Sequence, residues 1–165
     1  MFSTHQQVTV TRISTVTTLP YDAAVEKFEH TLGHWNDADG VAFVKRKAPW
    51  PEVQTRIWMV ANPHGLMIFH KVDQGTLTSL SGKVKHCALY LVGNPDTANN
   101  IIDMDLRGAM YVPFRVCILQ EHGADVATIM YDKPSTFLAS FSEHGMKDIG
   151  DDLDRKIAGV VDAVK

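Results

Sequence analysis

The chain has 165 residues, 45% of them apolar and 21% charged, with a formal net charge of −3. That balance excludes a disordered chain and weighs against nucleic-acid binding, which draws on a basic face and a high pI. A chain of this length can bury about two-thirds of its unfolded surface, so one domain over 1–165 is expected, with no disulfide or metal staple.

The opening stretch Met1–Gln7 is polar and lacks the basic start and apolar centre of a secretory signal. Val8–Val16 is β-branched and alternates, which predicts a strand. Leu19-Pro20-Tyr21-Asp22 opens a helix with Ala24, Phe28 and Leu32 on one face. Gly33 and the Asn36–Gly40 cluster stop it. Val41–Val44 is read as a short strand that runs into Lys45-Arg46-Lys47, a solvated basic end. Ala48-Pro49-Trp50-Pro51 is read as a loop, because prolines cannot sit in a central ladder.

Strands are expected at Thr55–Ala61 and Leu66–Val72, joined by the turn Asn62-Pro63-His64-Gly65. Gln74–Gly82, rich in Gly, Ser and Thr, reads as a mobile connection. Val84–Val92 is the clearest core strand and ends at Gly93-Asn94-Pro95, with Asp96 or Thr97 capping a helix to about Arg107. Val112–Glu121 and Val126–Tyr131 pair as a hairpin through His122–Asp125. Pro134 opens a helical region, interrupted at Gly145, whose stripe is Ile149, Leu153, Ile157, Val160 and Val164. No apolar run approaches the ~18 residues of a membrane span. The expected fold is α+β: two layers, an antiparallel or mixed sheet with helices packed on one face.

The succession Gly93-Asn94-Pro95, then Pro113-Phe114-Arg115, then Tyr131-Asp132-Lys133-Pro134 resembles the family called domain of unknown function 302. There a Gly-Asn-Pro, a Leu-Pro-x-Arg-like segment and a Tyr-x-x-Pro-like segment recur in that order, and the likeness is best over 66–138. The chain departs from the pattern at two points. Val112 stands where the family has Leu, and Val72-Asp73-Gln74 stands where many members have Ile-Asp-His. Any role that the resemblance implies for that histidine is therefore lost or moved to His70 or His86. It implies a small α+β fold, often dimeric, and no activity.

Eight histidines raise the question of convergence. Glu26, His30 and His34 are spaced one turn apart on a helix, which would let them face one metal. Histidines in a last helical turn complement its negative end and explain the same residues more simply. No Cys-x-x-Cys or His-Glu-x-x-His occurs, so neither metal nor cofactor is expected.

Alternation along Lys85–Val92 separates His86, Ala88, Tyr90 and Val92 from Cys87, Leu89 and Leu91. The same alternation groups His70 with Ile68 and Val72. If helices cover the cysteine face, the free face lines an apolar pocket bearing His70, His86 and Tyr90. Cys87 and Cys117 are then packing residues, typical of free thiols in a reducing, cytoplasmic compartment.

The sequence thus points to a soluble small-molecule-binding domain, acting as a cofactor-independent lyase or isomerase with His70 and His86 as acid–base groups. Tyr90 and Tyr131 would orient the ligand, Asn94 and Arg115 would anchor it, and Trp50, held between two prolines, would close over it. A second reading is a non-enzymatic homodimer whose open sheet face meets another copy. A third is histidine-based metal or haem binding.

Overall fold

The computed structural model describes residues 2–165. Its elements are β1 (Arg12–Val16), α1 (Tyr21–Thr31), β2 (Gly33–His34), α2 (Asp37–Arg46), α3 (Trp50–Ala61), β3 (Met67–Asp73), α4 (Gln74–Ser79), β4 (His86–Gly93) and α5 (Pro95–Met104). A 3-10 turn over Leu106–Met110 follows, then β5 (Phe114–Gln120), β6 (Thr128–Asp132), α6 (Pro134–Leu138) and α7 (Met146–Val164). The strands form one open sheet in the order β1-β6-β5-β4-β3-β2. It is mixed: β2 runs parallel to β3, and every other neighbour pair is antiparallel. The fold is α+β.

One face of the sheet is buried beneath helices. Ala88, Tyr90 and Val92 of β4, Val116 and Ile118 of β5 and Ile129 and Tyr131 of β6 pack there against α1, α5, α6 and α7. From α7, Leu153, Ile157, Val160 and Val164 insert into this layer, the stripe that helical spacing predicts. Gly150 lets α7 approach α6 closely, since a Cβ there would lie 2.5 Å from the Ser135 Cα. Asp154, one turn on, accepts hydrogen bonds from the Ser135 amide and hydroxyl.

Four expected segments change type between residues 37 and 79. Val41–Val44 belongs to α2, whose Asn36 side chain caps the Ala38 amide. Thr55–Ala61 belongs to α3, in which Ile57 and Ala61, one turn apart, bury against Met67 at the β2–β3 edge. Pro49 and Pro51 flank the first residue of α3, where a missing N–H costs nothing; they start a helix here instead of breaking a strand. Gln74–Ser79 forms α4, capped by the Asp73 carboxylate on the Thr76 amide. Gly33, expected to end α1, also pairs with β3, where the Val60 carbonyl approaches too closely for any side chain. The hairpin β5–β6 forms as expected.

Candidate functional site

The register defines the face that α1, α5, α6 and α7 leave open. A first row of side chains crosses the sheet as His70, Leu91 and Arg115, and continues to Asp132 and Arg12. A second row runs Val72, Leu89, Cys117, Met130 and Ser14. A third runs Cys87, Leu119, Thr128 and Val16. One charged row thus borders two rows that are almost wholly apolar. Val16 is 66% exposed and Val72 39% at the ends of these rows, while Leu89, Cys117, Leu119 and Met130 between them are partly buried.

The charges of the first row are unequally matched. Arg12 grips Asp132 through two hydrogen bonds of 2.8 and 3.1 Å, the bidentate form that guanidinium and carboxylate favour. Arg115 makes no ion pair and no side-chain hydrogen bond among the described residues. It lines two adjoining hollows. One, of about 430 Å³, is walled by Leu91, Tyr111, Pro113 and Phe137. The other, of about 270 Å³, is walled by Leu89, Cys117 and Met130. A free cation therefore stands between two partly apolar hollows.

The structure separates the histidine pair. His86 shares the helix-covered face with Tyr90, lies at its exposed end and packs its ring 5.2 Å from that of Tyr21. Burial, with smaller help from Asp73 and other nearby groups, pushes the Tyr21 phenol up to about 12. His70 faces the other way. A bulge between Ile68 and His70 resets the alternation of β3, sending Ile68 into the core and His70 and Val72 to the open face. The two imidazoles lie on opposite sides of the sheet and form no acid–base pair.

Three further residues are engaged within the fold. Tyr90 is fully buried in the core and donates its hydroxyl to Glu29 at 2.8 Å. Tyr131 is 7% exposed and packs on the helix-covered face, where burial raises its pKa. Asn94 is the N-cap of α5: its side-chain oxygen accepts from the Asp96 and Thr97 amides, and its amide donates to the Gly65 carbonyl. The cap falls earlier than Asp96 or Thr97. Trp50 is 40% exposed and borders a separate hollow of about 310 Å³ with Phe69, Pro95 and Pro113. Of the expected site residues, only His70 and Arg115 share the open face. The face itself is inverted from expectation: the helices cover Tyr90, and the cysteines are half buried on the uncovered side.

The helical metal triad does not form either. His34 lies in β2, beyond the end of α1, and the His30 Nδ1 donates to the Glu26 backbone carbonyl at 2.8 Å. Among the described residues, no group of three or more His, Cys, Asp or Glu side chains is placed to hold a metal ion. No helix among them is long and apolar enough to cross a membrane.

One polar cluster has no sequence signal. Lys71 pairs with Glu29 at 2.6 Å and lies 5.7 Å over the Tyr90 ring. Burial pushes the Glu29 carboxyl up, but the hydrogen bonds from Lys71 and Tyr90 and the Lys71 charge outweigh it, so the group titrates below its ordinary value. Glu29, Lys71 and Tyr90 come from three distant segments, so nothing in local spacing marks them.

Comparison with known proteins agrees with this architecture. The family model for the domain of unknown function DUF302 matches residues 43–164. A crystal structure of an uncharacterized conserved DUF302 protein from Bacillus stearothermophilus superposes with a TM-score of 0.65 at 14% identity, covering 93% of this chain and 98% of that one. At that identity the likeness speaks for the fold. No curated protein matches the chain. The order of the Gly-Asn-Pro, Pro-x-Arg and Tyr-x-x-Pro segments, the fold and the family match agree: the chain belongs to the DUF302 family.

Proposed function

We propose that this chain is a small-molecule-binding domain that holds an amphipathic anion on the open sheet face. The observation that carries the reading is the unpaired guanidinium of Arg115 between two hollows walled by apolar side chains. A carboxylate or phosphate suits its planar fork, and an apolar tail can lie along Leu89, Cys117 and Met130. Asp132 is neutralised by Arg12 and so does not repel the ligand. Catalysis by paired histidines has no support, because the pair is divided by the sheet.

The test is calorimetric titration with alkyl carboxylates and alkyl phosphates of graded chain length. Affinity should rise with tail length, at roughly 0.8 kcal/mol per methylene buried. Arg115→Ala should weaken it by about ten- to a hundredfold, the worth of a charged hydrogen bond. Equal binding by Arg115→Ala and the parent would end the proposal.

A second reading, a homodimer through the same face, is favoured by the extent of its apolar rows and by the exposed Leu77, Leu80 and Val84 of the segment joining β3 to β4. Sedimentation of the parent and of Leu89→Asp separates the two. A dimer abolished by the substitution supports it, and a monomer at all concentrations removes it.

A further inference from the structure

The larger of the two hollows beside Arg115 has an aromatic wall. Tyr111, Phe114 and Phe137 line it with Leu91 and Pro113, around a volume of about 430 Å³. The Tyr111 and Phe137 rings stack nearly parallel, with centroids 5.0 Å apart and planes at 11°. Phe141 packs on Tyr111 in an edge contact at 5.7 Å and 80°. Phe114 and Phe137 are buried, and Pro113 has no side-chain freedom to lose. The wall is therefore in place before a ligand arrives.

Size and chemistry together distinguish this hollow from its neighbour. Small-molecule sites typically enclose about 300–1,000 Å³. The hollow of about 430 Å³ falls in that range, and the neighbour of about 270 Å³ falls below it. A ring that meets other rings gains from offset-stacked or edge-to-face contact, beyond the area it buries. A preformed wall adds no ordering cost, whereas a saturated chain must give up its own rotamers to lie still. Charge selects the other end of the ligand. Asp132 also lines the larger hollow, but Arg12 holds both of its carboxylate oxygens, which leaves Arg115 as the unmatched charge.

We propose that the ligand of this face is an aryl carboxylate. Its carboxylate lies on Arg115, and its ring lies in the larger hollow against Tyr111, Phe114 and Phe137. Alkyl tails keep to the smaller hollow. This ligand class rests on the anion reading given above, and adds to it where the ring sits.

Calorimetric titration of the whole chain with 3-phenylpropanoate and with 3-cyclohexylpropanoate tests it. The two acids share charge, linker and carbon count, and burial alone favours the saturated one. The aryl acid should nonetheless bind about two- to tenfold tighter, the worth of aromatic contacts beyond area. Tyr111→Leu should abolish that preference, and Tyr111→Phe, which keeps the ring, should retain it. A cooperative urea transition certifies that each variant is folded. A second measurement needs no variant: ring protons of the bound aryl acid should show nuclear Overhauser contacts to the methyl groups of Leu91, which lines the larger hollow, and not to those of Leu89, which lines the smaller. The proposal is overturned if the cyclohexyl acid binds as tightly as the aryl acid, if folded Tyr111→Leu keeps the preference, or if the contacts go to Leu89 instead. Arg115→Ala separates this failure from that of the anion reading. Acids that lose about ten- to a hundredfold in affinity to that substitution uphold the anion site even where no ring preference exists, and binding indifferent to it ends both.

Discussion

Replacing Tyr90 by Phe tests a tie that joins α1, β3 and β4 through polar side chains. The ring is fully buried and packs 5.0 Å from Phe28, so Phe keeps the shape and opens no cavity. What is lost is the hydroxyl that donates to Glu29 at 2.8 Å. A hydrogen bond to a charged group is worth about 1.5–3 kcal/mol. Glu29 keeps Lys71 at 2.6 Å, and its side chain is 29% exposed, so water replaces part of the loss and about 1–2 kcal/mol is expected at pH 7. With a urea slope near 2 kcal/mol per molar, the midpoint should fall by about 0.5–1 M.

The pH dependence carries a sign. The folded Glu29 carboxyl titrates below its ordinary value of 4.5. Its contribution is therefore present above the unfolded pKa and is lost as pH falls through the folded one. Removing the Tyr90 hydroxyl takes away one of the interactions that lower it. The gap in stability between parent and variant should be full at pH 7 and shrink as the solution is acidified below about 4.5. Urea unfolding followed by tryptophan fluorescence at both pH values measures it. A gap that stays constant from pH 7 to pH 3.5, or no gap at pH 7, refutes the reasoning.

Three more substitutions probe the architecture. Ile118→Ala, in the covered layer, should cost about 2–5 kcal/mol, whereas Leu119→Ala, its neighbour on the open face, should cost under about 1 kcal/mol by the same unfolding assay; equal losses would mean both faces are packed. Asn94→Ala removes a cap that satisfies two α5 amides and should lower stability by about 0.5–2 kcal/mol, seen as a fall in Tm, while Asn94→Asp should recover most of it. Gly150→Ala places a methyl 2.5 Å from the Ser135 Cα and should destabilise by about 1–3 kcal/mol through overpacking; a variant as stable as the parent would show that α6 yields freely.

Much of the scaffold was legible because local physics decides it. The β-branched run before Val16, the 3.6-residue stripe of α7 and the turn at His122–Asp125 each carry their signal within a few residues. Where the reading failed, the residues were ambiguous on their own. Thr55–Ala61 is β-branched and aromatic enough for a strand, yet Val53, Ile57 and Ala61 form one helical face that Met67 covers. Pro49 and Pro51 break a strand or start a helix with equal ease, and the cap position decides between them.

Of the candidate site, Arg115 and its alternation with Phe114 and Val116 were readable from the strand itself. Which side of β4 is covered was not, because Ala88, Tyr90 and Val92 are hardly more apolar than Cys87, Leu89 and Leu91. That choice was made by α7 and α1, whose stripes need a partner face and find the one bearing Ala88, Tyr90, Val116 and Ile129. The bulge at His70 was equally hidden: a single residue out of register reverses every later side chain of the strand, and only pairing with β4 reveals it. Element type and strand alternation are short-range properties, written in the residues concerned. The sidedness of the sheet, and with it the place of every ligand-facing group, arises from contacts between segments far apart in the chain, so it exists only in the folded protein.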